Sequence, residues 1–260
     1  MRHTIVTALI LSMGILSGVG RIAAEPGTPD SITFPWGKIL YAPGQEKLAE
    51  SSAEQIESTI RNIRQTLDFD LEQQFTVVIA NSREEYLKYA GRQIPDWSAG
   101  VTSYTHGRIV MKSPSLGKST VWDYDETLRH EVAHVLIGQN VDPRRLPRWL
   151  NEGLAMIVAG QNSIGQMYTL AQYVVRDKLL SLSEIEQMLH FSQEKASLGY
   201  AESHSAVKFI LSEFPDGTLT QVLGKMRNSD LSWQQSFSEV TGLSQYYFEQ
   251  HWRSHLKENY

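Results

Sequence analysis

The chain has 260 residues, 41% hydrophobic and 20% charged, proportions that suit a globular fold with a substantial core. Its formal net charge is −5 and its Lys and Arg are scattered apart from the pair Arg144–Arg145, which argues against a nucleic-acid surface, since that needs clustered cations. Cysteine is absent, which excludes disulfides and a lipid-modified cysteine and leaves stability to packing or a bound metal.

Residues 1–24 read as a secretory signal peptide. Arg2 and His3 open it, Thr4 to Gly20 carry no charge, and Ile22-Ala23-Ala24 precede Glu25, the layout of a leader cut after Ala24. The uncharged run is shorter than the roughly 20 apolar residues of a membrane span, so an uncleaved anchor is the lesser alternative and no stable span is expected after cleavage. Losing Arg2 and Arg21 leaves 22 basic against 29 acidic residues, a charge of −7. A periplasmic or secreted protein fits.

The first part of the mature chain, residues 25–120, reads as a small α/β lobe. Residues 25–31 look like a loose start, and "GKILYAP" (37–43) reads as a short strand stopped by Pro43. Between Gln45 and Leu67 the residues Ile56, Ile60, Ile63 and Leu67 recur at helical spacing, one face of an amphipathic helix. "QFTVVIA" (74–80) is a β-branched run and predicts a buried strand. Ser82 is placed to cap a short helix from Arg83. "AGVTSYTHGRIVMKS" (99–113) predicts two strands about a His106-Gly107 turn, with "GRIVM" as an edge to which a peptide could add. Residues 121–260 then read as a helical lobe, with helices over 124–139, 148–160, 165–178, 183–190, 199–214, 218–227, 232–240 and 244–257, punctuated by Pro215, Gly217, Gly224 and Gly242. Trp97, Trp122 and Trp149 read as packing residues.

The segment 128–160 carries the chemistry. His130, Glu131 and His134 form H-E-V-A-H; on a helix, positions i and i+4 share a face, so both imidazoles can reach one ion and the glutamate can hold a water on it. Leu128, Val132, Val135 and Leu136 lie on the opposite side. "WLNEGLAMIVAG" (149–160) is apolar nearly all round except Asn151 and Glu152, which predicts a buried helix in which a carboxylate needs a cation. Glu152, 18 residues after His134, is therefore the third metal ligand, with an ion pair to Arg148 or Arg145 as the alternative. Two His and one carboxylate leave the fourth position of a zinc ion open, the mark of a catalytic site. A zinc-bound water deprotonated by Glu131 would hydrolyse an amide.

H-E-V-A-H followed by "PRWLNEGLA" (147–155) resembles the glutamate-type zincins, or gluzincins, and most closely the peptidase MA-like family. "YAESHSAVKFIL" (200–211) and "FSEVTGLSQYYFEQHWRSHL" (237–256) look like the helices that close such domains. The resemblance implies an α+β, zincin-like fold, with the metal site in the cleft between a small N-terminal α/β lobe and a mostly helical C-terminal lobe. It also implies one Zn2+ per chain on His130, His134 and Glu152, Glu131 as the base, and peptide or protein substrates. Many gluzincins carry a further acid one turn after the third ligand; Met156 stands there, leaving Asp123, Asp125 or Asn151 to orient a histidine. The family often uses a C-terminal Tyr or His at the oxyanion. The resemblance favours Tyr200 over His204, which reads as a helix-surface residue; a Tyr200 packed in the core is the alternative. The expected function is an exported zinc-dependent peptidase. The alternatives are a catalytically weak or inactive zincin-fold binding module, against which the presence of Glu131 speaks, and a docking role for residues 199–260.

Overall fold

The computed structural model describes residues 20–22, 29–90, 94, 98–116, 123–161 and 164–260. Its sheet has six strands, β1 Gly20–Ile22, β2 Asp30–Phe34, β3 Gly37–Tyr41, β4 Phe75–Ala80, β5 Gly100–Ser103 and β6 Arg108–Lys112, in the order β1-β2-β3-β4-β6-β5. β1 to β3 form an antiparallel meander, β3, β4 and β6 run parallel, and β5 turns back antiparallel on β6. The leader reading of residues 1–24 lies outside the described residues except for Gly20–Ile22, which pairs with β2.

Two sequence expectations change here. Asp30 and Ser31, expected in a loose start over 25–31, belong to β2, because Ile32 is buried opposite Ile39 and Phe34 stacks on Trp36, which stacks on Phe75; residues 25–28 lie outside the described residues. "GRIVM" is no edge: β6 is enclosed between β4 and β5, and the outer strand is β5. The alternation along β4 and β6 explains why the buried stretch of each is apolar on both faces. Val77, Ile79, Ile109 and Met111 join one core, while Val78, Ala80 and Val110 join a second. A strand covered on both faces has no polar side to show.

Helix α1 Glu46–Leu67 connects β3 to β4 and packs Ile56, Ile63 and Leu67 into the larger core. Helix α2 Arg83–Ala90 covers the other face with Tyr86 and Ala90, and Ser82 Oγ accepts the backbone N–H of Glu85 at its start. The remaining helices follow the predicted order: α3 Tyr124–Asn140, α4 Arg148–Ala159, α5 Ile164–Val175, a 3-10 segment Glu184–His190, α6 Gln193–Glu213, α7 Thr218–Asn228, α8 Trp233–Thr241 and α9 Gln245–Asn259. The fold is α+β and zincin-like, a small mixed sheet followed by helices. One continuous core runs from Ile32 in β2 to Leu256 in α9, so the sheet and the helices share their buried surface.

Two contacts fix α4, the helix on which the site depends. Trp149 is fully buried and packs edge-on against Trp233 and face-on against Phe248, with ring centroids 5.4 and 5.6 Å apart. Gly153 lets α4 lie against α6, since a Cβ there would stand 2.4 Å from the Ser203 carbonyl oxygen. Backbone cannot yield as a side-chain tip can, so Gly153→Ala is expected to cost about 1–3 kcal/mol by forcing the helices apart. Urea unfolding reads this as a lower midpoint with an unchanged slope; an unaltered midpoint would mean that the two helices separate freely.

Candidate metal centre

Asp123 caps α3 by accepting the Glu126 backbone N–H at 2.8 Å, and the helix then runs buried from His130 to Ile137 without a break. It presents no solvent-exposed stripe. The apolar side enters the core, and the side bearing His130, Glu131 and His134 is covered by β5, α4 and Tyr200. Arg129 adds a tie by donating from Nε to the Ala159 carbonyl at the end of α4. The connection between α3 and α4 is held by Arg145, whose Nη1 donates to the carbonyls of Ser229 and Leu231.

In this frame the His130 and His134 Nε2 atoms lie 3.0 Å apart, and Glu152 Oε2 lies 3.3 Å from each. The outer nitrogens set the tautomers. His134 Nδ1 donates to Asn151 Oδ1 and His130 Nδ1 to Gln161 Oε1, both at 3.1 Å. With Nδ1 protonated, each Nε2 turns a lone pair toward the other and toward a carboxylate oxygen. Among the described residues, Glu152 Oε2 has no hydrogen-bond donor of proper geometry. Three buried acceptors facing one point repel each other unless a cation stands there. Ligands about 2.0–2.1 Å from a tetrahedral ion stand about 3.3–3.4 Å from one another, close to the observed triangle. The donor set therefore fits a metal ion, and His130, His134 and Glu152 could hold it.

The electrostatics agree. Burial works against a charge on His134, yet the Glu152 carboxylate, helped by Glu131 and Asn151, pushes its imidazole up to about 9. Burial would likewise raise Glu152, but the two imidazoles beside it hold its carboxyl well below the usual carboxylate range. Both shifts describe one shared positive charge, the place a metal ion would take.

The structure brings further side chains to this point. Thr102 Oγ1, on β5, lies 2.7 Å from Glu131 Oε2 and donates its proton there. The approach is close because β5 carries Gly100, where a Cβ would stand 2.9 Å from Glu131 Cγ. Asn151 Nδ2 donates to the Tyr104 hydroxyl at 3.0 Å, while its Oδ1 faces His134. The ring of Tyr104 lies on Gly138 of α3, where a Cβ would meet it at 2.3 Å. Gly160 closes α4 in the left-handed conformation (φ 73°), with the Gln161 N–H bonded to the Met156 carbonyl at 2.9 Å. That C-terminal motif turns the chain and brings Gln161 back to His130. Tyr200 lies with its ring centroid 6.4 Å from that of His130. Loss of solvation, with the charges of Glu152 and Glu131, keeps its hydroxyl protonated far above its usual range.

Of the sequence-predicted residues, His130, Glu131, His134, Glu152 and Tyr200 all line one cleft of about 630 Å³. Of Asp123, Asp125 and Asn151, it is Asn151 that contacts a histidine, while Asp123 serves as the cap of α3. The pair with Arg148, the alternative to metal ligation, exists as well: Nη1 stands 3.6 Å from Glu152 Oε1, so the carboxylate turns its other oxygen to the histidines. His204 is corrected. It is 8% exposed and faces a separate cavity between α5, α6 and α9, because one turn along α6 from Tyr200 the helix has come under α9. Trp97 and Trp122 lie outside the described residues; Trp149 is core. Sequence reasoning missed Thr102, Tyr104 and Gln161. Gly138, a glycine inside a helix, was a usable sign that something large lies against α3.

Two expectations follow from these contacts. Gln161→Ala and Asn151→Ala should each weaken metal binding by about 10–100-fold with the fold intact, read by chelator competition; affinities equal to wild type would leave both side chains without a role. For His204, burial and then Lys208 push the imidazole down to about 4. The unfolded chain takes up that proton first, so folding stability falls as pH drops from about 6.5 toward 4. His204→Gln should flatten that part of the stability profile, and an unchanged profile would assign the titration elsewhere.

No curated protein matches the chain in sequence. Residues 58–258, well over half of its length, match the family model of the Peptidase MA superfamily, in keeping with the gluzincin-like motifs and with a buried His-His-Glu group that could hold a metal; the chain belongs to the Peptidase MA superfamily.

Proposed function

We propose that the protein is an exported zinc-dependent peptidase of gluzincin type, with His130, His134 and Glu152 as the zinc ligands and Glu131 as the general base. The observation that carries this reading is the triangle of 3.0 and 3.3 Å formed by three buried acceptor atoms at the floor of a cleft. Two imidazoles and one carboxylate leave a tetrahedral ion with an open position, as catalytic zinc requires. Zinc, when bound, acidifies a water and polarises the substrate carbonyl.

The chain's own groups do the rest. Glu131 accepts a proton from the attacking water and passes it to the departing amine as the C–N bond breaks, leaving a carboxylate and a free amine. Thr102 holds one oxygen of that carboxylate, so the other is left to meet the water. The Tyr200 hydroxyl, kept protonated by its surroundings, donates to the oxyanion as the carbonyl becomes tetrahedral. β5 is one of the two outer strands of the sheet, and its residues 100–103 line the cleft; an extended peptide that added to it would pass across the ligands. Export rests on the leader pattern of residues 1–24. No helix among the described residues is long and apolar enough to cross a membrane.

The purified chain should carry about one zinc and cleave members of an unbiased peptide library. Glu131→Gln should keep the zinc and lose cleavage by at least about 100-fold, while His134→Ala loses both. Tyr200→Phe should lower kcat by about 100–1,000-fold with little change in KM. Cleavage that survives in Glu131→Gln would remove the proposed mechanism. A zinc-loaded wild type that cleaves nothing would favour the alternative of a binding module.

A further inference from the structure

We propose that Arg148 sets the substrate preference of this cleft by binding a carboxylate of the peptide, close to the scissile bond. The inference rests on the peptidase reading and adds a substrate class to it.

Arg148 opens α4 and is the one Lys or Arg among the described residues lining the cleft. Its surroundings differ from those of the other partly buried arginines. Arg108, Arg129, Arg145 and Arg253 all spend guanidinium N–H groups on carbonyl or side-chain oxygens of the protein. Arg148 makes no such bond among the described residues. Its Nε is buried without an acceptor, and Nη1 stands 3.6 Å from Glu152 Oε1, an ion-pair distance too long for a hydrogen bond. The neighbouring Glu186 accepts from the Arg148 backbone N–H at 2.8 Å and interacts with the guanidinium by charge, without a hydrogen bond to the fork. The side chain is 30% exposed and open to the cleft.

Charge gives the reason to expect an anion. The single negative charge of Glu152 is shared between Arg148 and the point at which Oε2 meets the two imidazoles. A dication at that point claims it, leaving the partly exposed guanidinium with its Nη donors unspent and only Glu186, which interacts with it by charge but accepts its backbone N–H alone, as a neighbouring acid. The planar fork matches a carboxylate better than any neutral group. Position gives the distance: the fork lies within roughly two residues' reach, about 7 Å, of the ligand triangle. A carboxylate held there belongs to a residue adjacent to the bond being cut. It can be a free C-terminus or an Asp or Glu side chain, which share this chemistry.

The test uses the zinc-loaded protein and a peptide series that differs only in charge, a free C-terminus against its amide and Glu against Gln beside the cut. At least a tenfold higher kcat/KM for one carboxylate over its neutral partner is expected, and the arm showing it identifies the source. In Arg148→Gln the ratio should fall to near one while the zinc content stays at one per chain. Calorimetric binding of the same peptides to the Glu131→Gln protein should give the same ratio and the same loss. No discrimination by charge in the wild type would overturn the proposal. So would an Arg148→Gln protein that loses zinc and all substrates equally, which would make Arg148 a holder of Glu152 only. A wild type that cleaves nothing removes the peptidase reading instead, and the calorimetric ratio then decides the role of Arg148.

Discussion

Two imidazole lone pairs and a carboxylate oxygen, buried and separated by 3.0–3.3 Å, form an arrangement that needs a positive charge at its centre. Without one, the desolvation of Glu152 and the mutual repulsion of three acceptors would drive the side chains apart. A shared proton is the least that can hold them, and a metal ion holds them better because it meets all three at once. The rest of the structure can be understood as what keeps two helices close enough, and oriented well enough, for that convergence.

Most of this support is apolar and lies away from the site. Trp149 anchors the start of α4 among Trp233 and Phe248, one residue row below Glu152, and Gly153 brings α4 onto α6, which carries Tyr200. Polar support is spent at the helix ends, where carbonyls lack partners of their own: Arg129 reaches Ala159, and Asn62 reaches Val158. The outer nitrogens of both histidines are held by amide oxygens rather than by carboxylates. That choice adds no further negative charge around the ligands, so the field at the centre is set by Glu152 and Glu131. Arg148 stands against both as the cation of the cleft wall.

Glu131 is carried by one part of the fold and held by another. Glu131 is on α3, but its carboxylate is fastened by Thr102 on β5, the strand whose outer edge faces the cleft. A displacement of β5 is therefore felt at the Glu131 carboxylate. The absence of a side chain at Gly100 makes that coupling tight.

How much of this was legible in the sequence follows from what periodicity encodes. The helices from Tyr124 to Asn259, the faces of α1, the strand Phe75–Ala80 and the pairing of His130 with His134 depend on spacing within one segment, and each is readable there. Glu152 was readable too, since a carboxylate in an apolar helix demands a partner wherever the helix packs. The order of strands was not: only the placement of β6 against β4 makes β5 the edge. His204 sits one turn from Tyr200 on the same helix, yet one faces the ligands and the other α9. Gln161, Thr102 and Tyr104 reach the site from turns and an edge strand, through contacts 29 to 47 residues apart. A sequence thus determines which side chains share a face and which of them cannot be buried alone. Which surface each face meets is decided only when the helices and the sheet pack, because that choice is made by shape and volume summed over the whole core.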